Sequence, residues 1–167
     1  MNINQTHLEL IHTNFPSLDE FILGRNTELR NLGYSGLAIS HWDHWLSREE
    51  YDEIYGENYV LYSEKILKQR LCLIEEVFLN DKIVLFDYHT KNTYVLSSFE
   101  KIKRLLLKDI NKNERFFLFC LQGKFIINIG YDDTDSIYID EKCCLPIMFI
   151  NALVKSNLYL LQLAELD

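Results

Sequence analysis

Apolar residues recur along this chain at two spacings, and the dominant one changes about halfway. In the first part they return every three or four positions, the repeat that lines one face of a helix. Leu8, Ile11 and Phe15 predict a first helix over residues 3–13, which Pro16 ends. Ser17 followed by Glu20 has the capping-box form. Phe21, Ile22, Leu29 and Leu32 then predict a second helix running to Gly33, a residue suited to the position after a helix end. Residues 34–45 are ambiguous and read as a loop or short strand. Ser47 and Glu50 make a second capping box, opening a short acidic helix that stops near Gly56. Ile66, Leu67, Leu71, Ile74, Val77 and Phe78 form the stripe of a longer helix over 62–79, with Lys65, Lys68 and Glu75 on its polar side.

Beyond residue 80 the pattern is mixed. Residues 83–88 and 93–96 read as strands joined by a hairpin loop at 89–92. Ser98 is placed to cap a helix over 99–109, with Phe99, Ile102, Leu105 and Leu106 inward and the cationic residues outward. Residues 115–121 and 124–129 flank Gln122-Gly123, a two-residue turn whose glycine tolerates positive φ. Residues 136–139 add a third consecutive strand after a turn at 130–135. Residues 146–154 read as helix and 158–163 as a final strand or helical segment. The expectation is one α+β domain over 1–167, with N-terminal helices packed on an antiparallel sheet built mainly from residues 83–140. A sheet-edge position for the apolar hairpin 116–129 would allow a dimer by strand addition, so the oligomeric state stays open.

Composition narrows the class. With 167 residues, 48% hydrophobic and 13% aromatic, the chain can bury a core and is not disordered. Six Gly and two Pro leave little material for linkers or a phosphate-cradling loop. The N-terminal stretch MNINQTHLELIHTNF lacks a basic start, a long apolar run and a small-residue cleavage site. The longest apolar run, 143–154, is interrupted by Pro146 and Asn151 and falls short of a membrane span. The chain therefore reads as soluble and cytoplasmic, with Cys72 and Cys120 as buried thiols and Cys143-Cys144 reduced.

Charge adds a second pattern. Between Lys91 and Lys124 eight basic residues face three acids, whereas the rest carries nine basic and 22 acidic residues. Acids gather at Asp43, Glu49, Glu50, Asp52, Glu53 and Glu57, and again at Asp132, Asp133, Asp135, Asp140 and Glu141. Such a field steers a protein toward a basic partner. A net charge of −8 argues against nucleic acid and anionic membrane as partners, since phosphate binding depends on Lys and Arg. The basic helix 99–109 lacks the Gly and aromatic interleaving of common RNA modules and reads as a solvated face.

Candidate chemistry is sparse. His41-Trp42-Asp43-His44-Trp45 offers two imidazoles and a carboxylate, the ligand types of a zinc-like ion, and supports the alternative of a small metal-dependent hydrolase. Any further ligand would have to come from His7, His12, His89 or distant carboxylates, and the spacing matches no metal motif, so no metal or cofactor is expected. The acids at 132–135 do not fit a calcium loop, because Tyr138 stands where that loop needs glycine. No nucleophile elbow, zinc-protease motif, phosphate loop or dinucleotide fingerprint occurs, and no catalytic residue is assigned. Trp42, Trp45, Tyr51 and Tyr55 interleave with the first acidic cluster, a composition common at the centres of protein interfaces.

The strand pair FFLFCLQGKFIINIGYDD at 116–133 and the acidic segment SREEYDEIYGE at 47–57, in a small acidic Tyr- and Phe-rich chain, resemble bacterial immunity proteins. These neutralise toxin domains of polymorphic and contact-dependent growth-inhibition systems. The resemblance is one of style over most of the chain and carries no functional residue across. It implies a non-enzymatic protein that binds a cognate toxin domain, such as a nuclease, and blocks its active site. The expected contact residues are Trp42, Asp43, Trp45, Glu49, Glu50, Tyr51, Asp52, Glu53, Tyr55 and Glu57, then Asp132, Asp133 and Asp135. A cytosolic adaptor with a host partner is the remaining alternative.

Overall fold

Two strands of the chain are apolar at every position, IVLF at 83–86 and FFLFC at 116–120, and such runs belong in the middle of a sheet covered on both faces. The computed structural model, which describes residues 5–25, 28–56, 58–109, 116–130 and 135–163, has this arrangement. Its strands are β1 (Tyr34–Ser40), β2 (Ile83–Asp87), β3 (Thr93–Val95), β4 (Phe116–Cys120), β5 (Phe125–Ile129), β6 (Asp135–Asp140) and β7 (Tyr159–Gln162). They form one antiparallel sheet in the order β3-β2-β4-β5-β6-β1-β7. The helices are α1 (Gln5–Asn14), α2 (Asp19–Ile22), α3 (Arg48–Tyr55), α4 (Tyr59–Asn80), α5 (Phe99–Asp109) and α6 (Ile147–Ser156). The class is α+β.

Alternation along the central strands divides the core into two layers. Ile83, Leu85, Phe116, Leu118 and Cys120 point to one face, where Leu73, Ile74 and Val77 of α4, Ile102 of α5, and Phe149, Ala152 and Leu153 of α6 cover them. Val84, Phe86, Phe117 and Phe119 point to the other, where Ile11 and Phe15 meet Leu18, Phe21 and Ile22. The N-terminal segment up to Leu32 thus makes its own layer, and α4 lies across the sheet from it. Each fully buried Leu, Ile, Val or Phe contributes about 1.5–3 kcal/mol by leaving water. The whole fold therefore leans on β2 and β4, which serve both layers.

The structure corrects several expectations. The hairpin β4–β5 occupies the centre of the sheet, so it offers no edge for strand addition; the edges are β3 and β7. Both edges are touched by side chains: His7 Nδ1 donates to Thr93 O at 3.2 Å, and Trp45 Nε1 donates to Gln162 O at 3.1 Å. Residues 34–40 form β1, paired on both sides, the strand of the two readings that the sequence left open. The helix expected over 17–33 is broken into α2 and two 3₁₀ turns, Pro16–Leu18 and Leu29–Leu32. Pro16 and the left-handed residues Gly24 (φ 73°) and Gly33 (φ 81°) stop the helix from propagating, while Phe21, Ile22 and Leu29 still reach the core. Ser17 makes no capping box; its hydroxyl donates to Tyr34 Oη at 3.3 Å. Cys72 is half-buried, whereas Cys120 is fully buried and its thiol pKa is pushed well up by desolvation and by nearby Asp81.

The β4–β5 turn works differently from its sequence reading. Its left-handed residue is Lys124 (φ 56°), and the reason for Gly123 is space. A Cβ there would lie 2.4 Å from Phe125 Cε1, on a fully buried ring, and 3.1 Å from Asp81 Oδ2. That carboxylate accepts from the backbone N–H of both Gln122 and Gly123, each at 2.8 Å, and holds the turn against the α4–β2 corner. Gly123→Ala should lower the stability by about 1–3 kcal/mol, read as an earlier urea midpoint with unchanged slope.

Asp135 is the largest departure. The sequence places it in an exposed acidic turn; the structure buries it at the start of β6. There its Oδ2 accepts from Arg70 Nε at 2.7 Å and its Oδ1 from Gly130 N at 3.0 Å. Asp132 and Asp133 lie outside the described residues, as do residues 110–115, and so do the side chains of Leu105, Leu106 and Lys108. Among the described residues of α5, Lys101 and Arg104 face solvent as expected and Ile102 faces the core.

Candidate functional site

The segment from Ser40 to Tyr59 has an apolar anchor, a cap and a ladder of rings. β1 ends at Ser40, whose hydroxyl accepts from Trp42 N at 3.0 Å and turns the chain out of the sheet. Ser47 opens α3 with the capping box read from the sequence: Glu50 N donates to Ser47 Oγ at 3.2 Å and Ser47 N donates to Glu50 Oε2 at 2.8 Å. Ile54 anchors the helix inward. Gly56 follows as C-cap, so α3 lies as a short rod beside the end of β1.

Tyr51 and Tyr55 stack because residues four apart on α3 share a face, and Tyr59, the first residue of α4, extends the ladder of rings. Tyr51 and Tyr55 stack at 4.6 Å between centroids, and Tyr55 and Tyr59 at 5.8 Å. Trp42 leans on Tyr55 at 6.1 Å and on His41 at 5.7 Å. Trp45 and Tyr51 remain just over half exposed, at 52% and 53%. Together with Ala38, Ile39, Ser40, His41, His44 and Leu46, the rings of Trp42, Trp45, Tyr51 and Tyr55 line a pocket of about 290 Å³.

The two histidines of this segment have separate roles. His41 is buried, and its Nδ1 lies 3.1 Å from Gln69 Oε1. Gln69 Nε2 donates to Asn157 O at 2.6 Å, which orients the amide and makes His41 Nδ1 the donor. His41 therefore ties the end of β1 to α4 and to the loop after α6. His44 is exposed, with Nδ1 at 2.7 Å from Asp43 Oδ1 and Nε2 at 3.2 Å from Glu50 Oε1. A neutral imidazole carries one N–H, so satisfying both carboxylates requires the imidazolium. Those hydrogen bonds, the Asp43 one first, raise the His44 pKa. Asp43 is lowered chiefly by the same contact, and Glu50 chiefly by accepting from the Ser47 backbone N–H. His41 and His44 both line the pocket but are held by different groups, Gln69 for the first and Asp43 with Glu50 for the second. Among the described residues no three His, Cys, Asp or Glu side chains are grouped to hold a metal ion.

The contact residues expected from the sequence thus divide in three. Trp42, Asp43, Trp45, Glu49, Glu50, Tyr51, Asp52, Glu53 and Tyr55 lie together on the 41–47 loop and α3, with Asp52 paired to Arg48 across one helical turn at 3.9 Å. Asp135 is buried in the core as the first residue of β6. Glu57, Asp132 and Asp133 lie outside the described residues. Tyr59, interleaved in sequence with the same acids, joins the ladder of rings outside the expected contact set, and nothing local in sequence brings Gln162, 117 positions away from Trp45, to the site. Comparison with protein-family models, with curated proteins and with solved structures gives no match.

Proposed function

We propose that this chain is a non-enzymatic immunity protein that binds a cognate bacterial toxin domain in the cytoplasm and blocks its active site. The observation that carries the reading is the surface of the 41–47 loop and α3. It joins partly exposed aromatic rings, Trp45 and Tyr51 above all, to five carboxylates, Asp43, Glu49, Glu50, Asp52 and Glu53, with Arg48 as the segment's one Lys or Arg. Aromatic side chains supply interface anchors at low entropy cost, and a surrounding field of one sign raises the rate of encounter with an opposite one. A toxin with a basic, nucleic-acid-shaped cleft has the complementary charge.

Co-expression with the C-terminal domain of the protein encoded just upstream, followed by size-exclusion chromatography, tests the reading. Stable co-elution together with rescue of growth is the expected result; separate peaks without rescue would sink it. Charge reversal at Glu49, Asp52 and Glu53 spares the capping carboxylate Glu50. The triple variant should associate with the toxin about tenfold more slowly at low salt, and the deficit should fade as ionic strength rises. An unchanged association rate would remove the acidic face from the interface.

A further inference from the structure

We infer that the pocket between the end of β1, the 41–47 loop and α3 receives an arginine side chain presented by the protein partner, an assignment that rests on the binding role proposed above. Its size is the first reason. At about 290 Å³ it lies just under the roughly 300–1,000 Å³ of pockets that enclose drug-sized ligands, and so suits a side chain better than a cofactor. Its lining is the second. Trp42, Trp45, Tyr51 and Tyr55 offer aromatic faces, and a planar, weakly hydrated guanidinium stacks on such faces more readily than an ammonium does.

Charge is the third reason and separates the remaining candidates. His44 lines the pocket, and the carboxylates of Asp43 and Glu50, outside the lining itself, are held through their contacts with His44. Two carboxylates against one imidazole leave this group negative in either protonation state of His44. An anion would be repelled, and a purely apolar side chain would make no use of the net negative charge of this group. A guanidinium uses both features, since its fork of N–H groups matches a carboxylate while its plane lies on a ring. The walls are also held in advance of binding. Trp45 is tethered through Nε1 to Gln162 O, and Tyr51 is stacked on Tyr55, so little ordering remains for the partner to impose.

The chain has two tryptophans, and both line this pocket, so its intrinsic tryptophan fluorescence reads the site directly. The full chain is titrated with N-acetylarginine methylamide, with the citrulline counterpart as neutral isostere and the lysine counterpart as compact cation. The arginine probe should give a saturable change, with affinity about tenfold above the citrulline probe and with the lysine probe between them. The double variant D43N/E50Q keeps a side chain able to close the capping box and should lower arginine affinity about tenfold with an unchanged circular dichroism spectrum. Y51A, on an exposed ring, should weaken the same binding. Equal responses to arginine and citrulline, a response that never saturates, or indifference to D43N/E50Q would overturn the assignment. Toxin co-elution undiminished by D43N/E50Q would sink the arginine pocket and leave the inhibitor reading standing. Arginine binding by a chain that ignores the toxin would sink the inhibitor reading and keep the pocket's chemistry.

Discussion

Asp135→Ala should destabilise this protein by about 3–5 kcal/mol, far more than removal of any exposed carboxylate. Arg70 and Asp135 are 1% and 3% exposed and meet at 2.7 Å, joining α4 to the start of β6. Alanine at 135 removes the carboxylate that Arg70 Nε meets in the core, where water cannot take its place. It also removes the acceptor for Gly130 N, just after the end of β5. Surface pairs such as His12–Asp19 or Arg25–Glu20 are worth about 0–1 kcal/mol and serve as the comparison. The cost belongs to breaking the pair more than to lacking it. The double variant R70M/D135L should therefore recover most of the loss, since buried ion pairs can be replaced by apolar side chains of similar volume with little effect. Urea unfolding of the single and double variants gives the coupling directly. A single-variant loss below about 1 kcal/mol would mean that the pair is hydrated in solution.

Phe119→Ala should cost a similar amount, about 3–5 kcal/mol, by a different route. Phe119 is fully buried in β4, beside Val84 on the neighbouring strand, with its ring 5.5 Å from Phe15 and 6.3 Å from Phe86. Its removal opens a cavity between the sheet and the N-terminal layer, and β4, paired on both sides, cannot shift to fill it. For a chain of this length the melting temperature should fall by roughly 6–20 °C. Trp45→Ala is the contrast: its ring is half exposed, and the loss should stay under about 1 kcal/mol in stability. A large drop in melting temperature from Trp45→Ala would make Trp45 a structural residue and weaken its place in the proposed interface.

The segments most easily read in the sequence were those whose signals are local. The Ser47–Glu50 capping box, the stripe of α4 and the paired strands β2 and β3 each depend on residues within a few positions of one another. The aromatic–acidic site was legible for the same reason, since its rings and carboxylates all fall between Trp42 and Tyr59. What failed was non-local. Residues 34–40 carry a weak strand pattern around Gly36, and only pairing with both β6 and β7 makes them β1. The apolar hairpin at 116–129 was read as a candidate edge and lies at the centre, because strand order is set by which neighbours cover it.

Asp135 shows the same division in one residue. Beside Asp132 and Asp133 it looks like part of a solvated acidic turn, and nothing nearby in sequence distinguishes it. Its burial depends on Arg70, 65 residues earlier, arriving from α4 with a charge that must be matched once water is excluded. The sequence alone determined the α+β class, the helices with local caps and stripes, and the clustering of tyrosines and acids beside two tryptophans. Tertiary structure decided which strands lie at the centre, which carboxylate is buried, and that four rings close around one pocket. Those outcomes come from contacts between distant segments, where pairing and desolvation outweigh local preference.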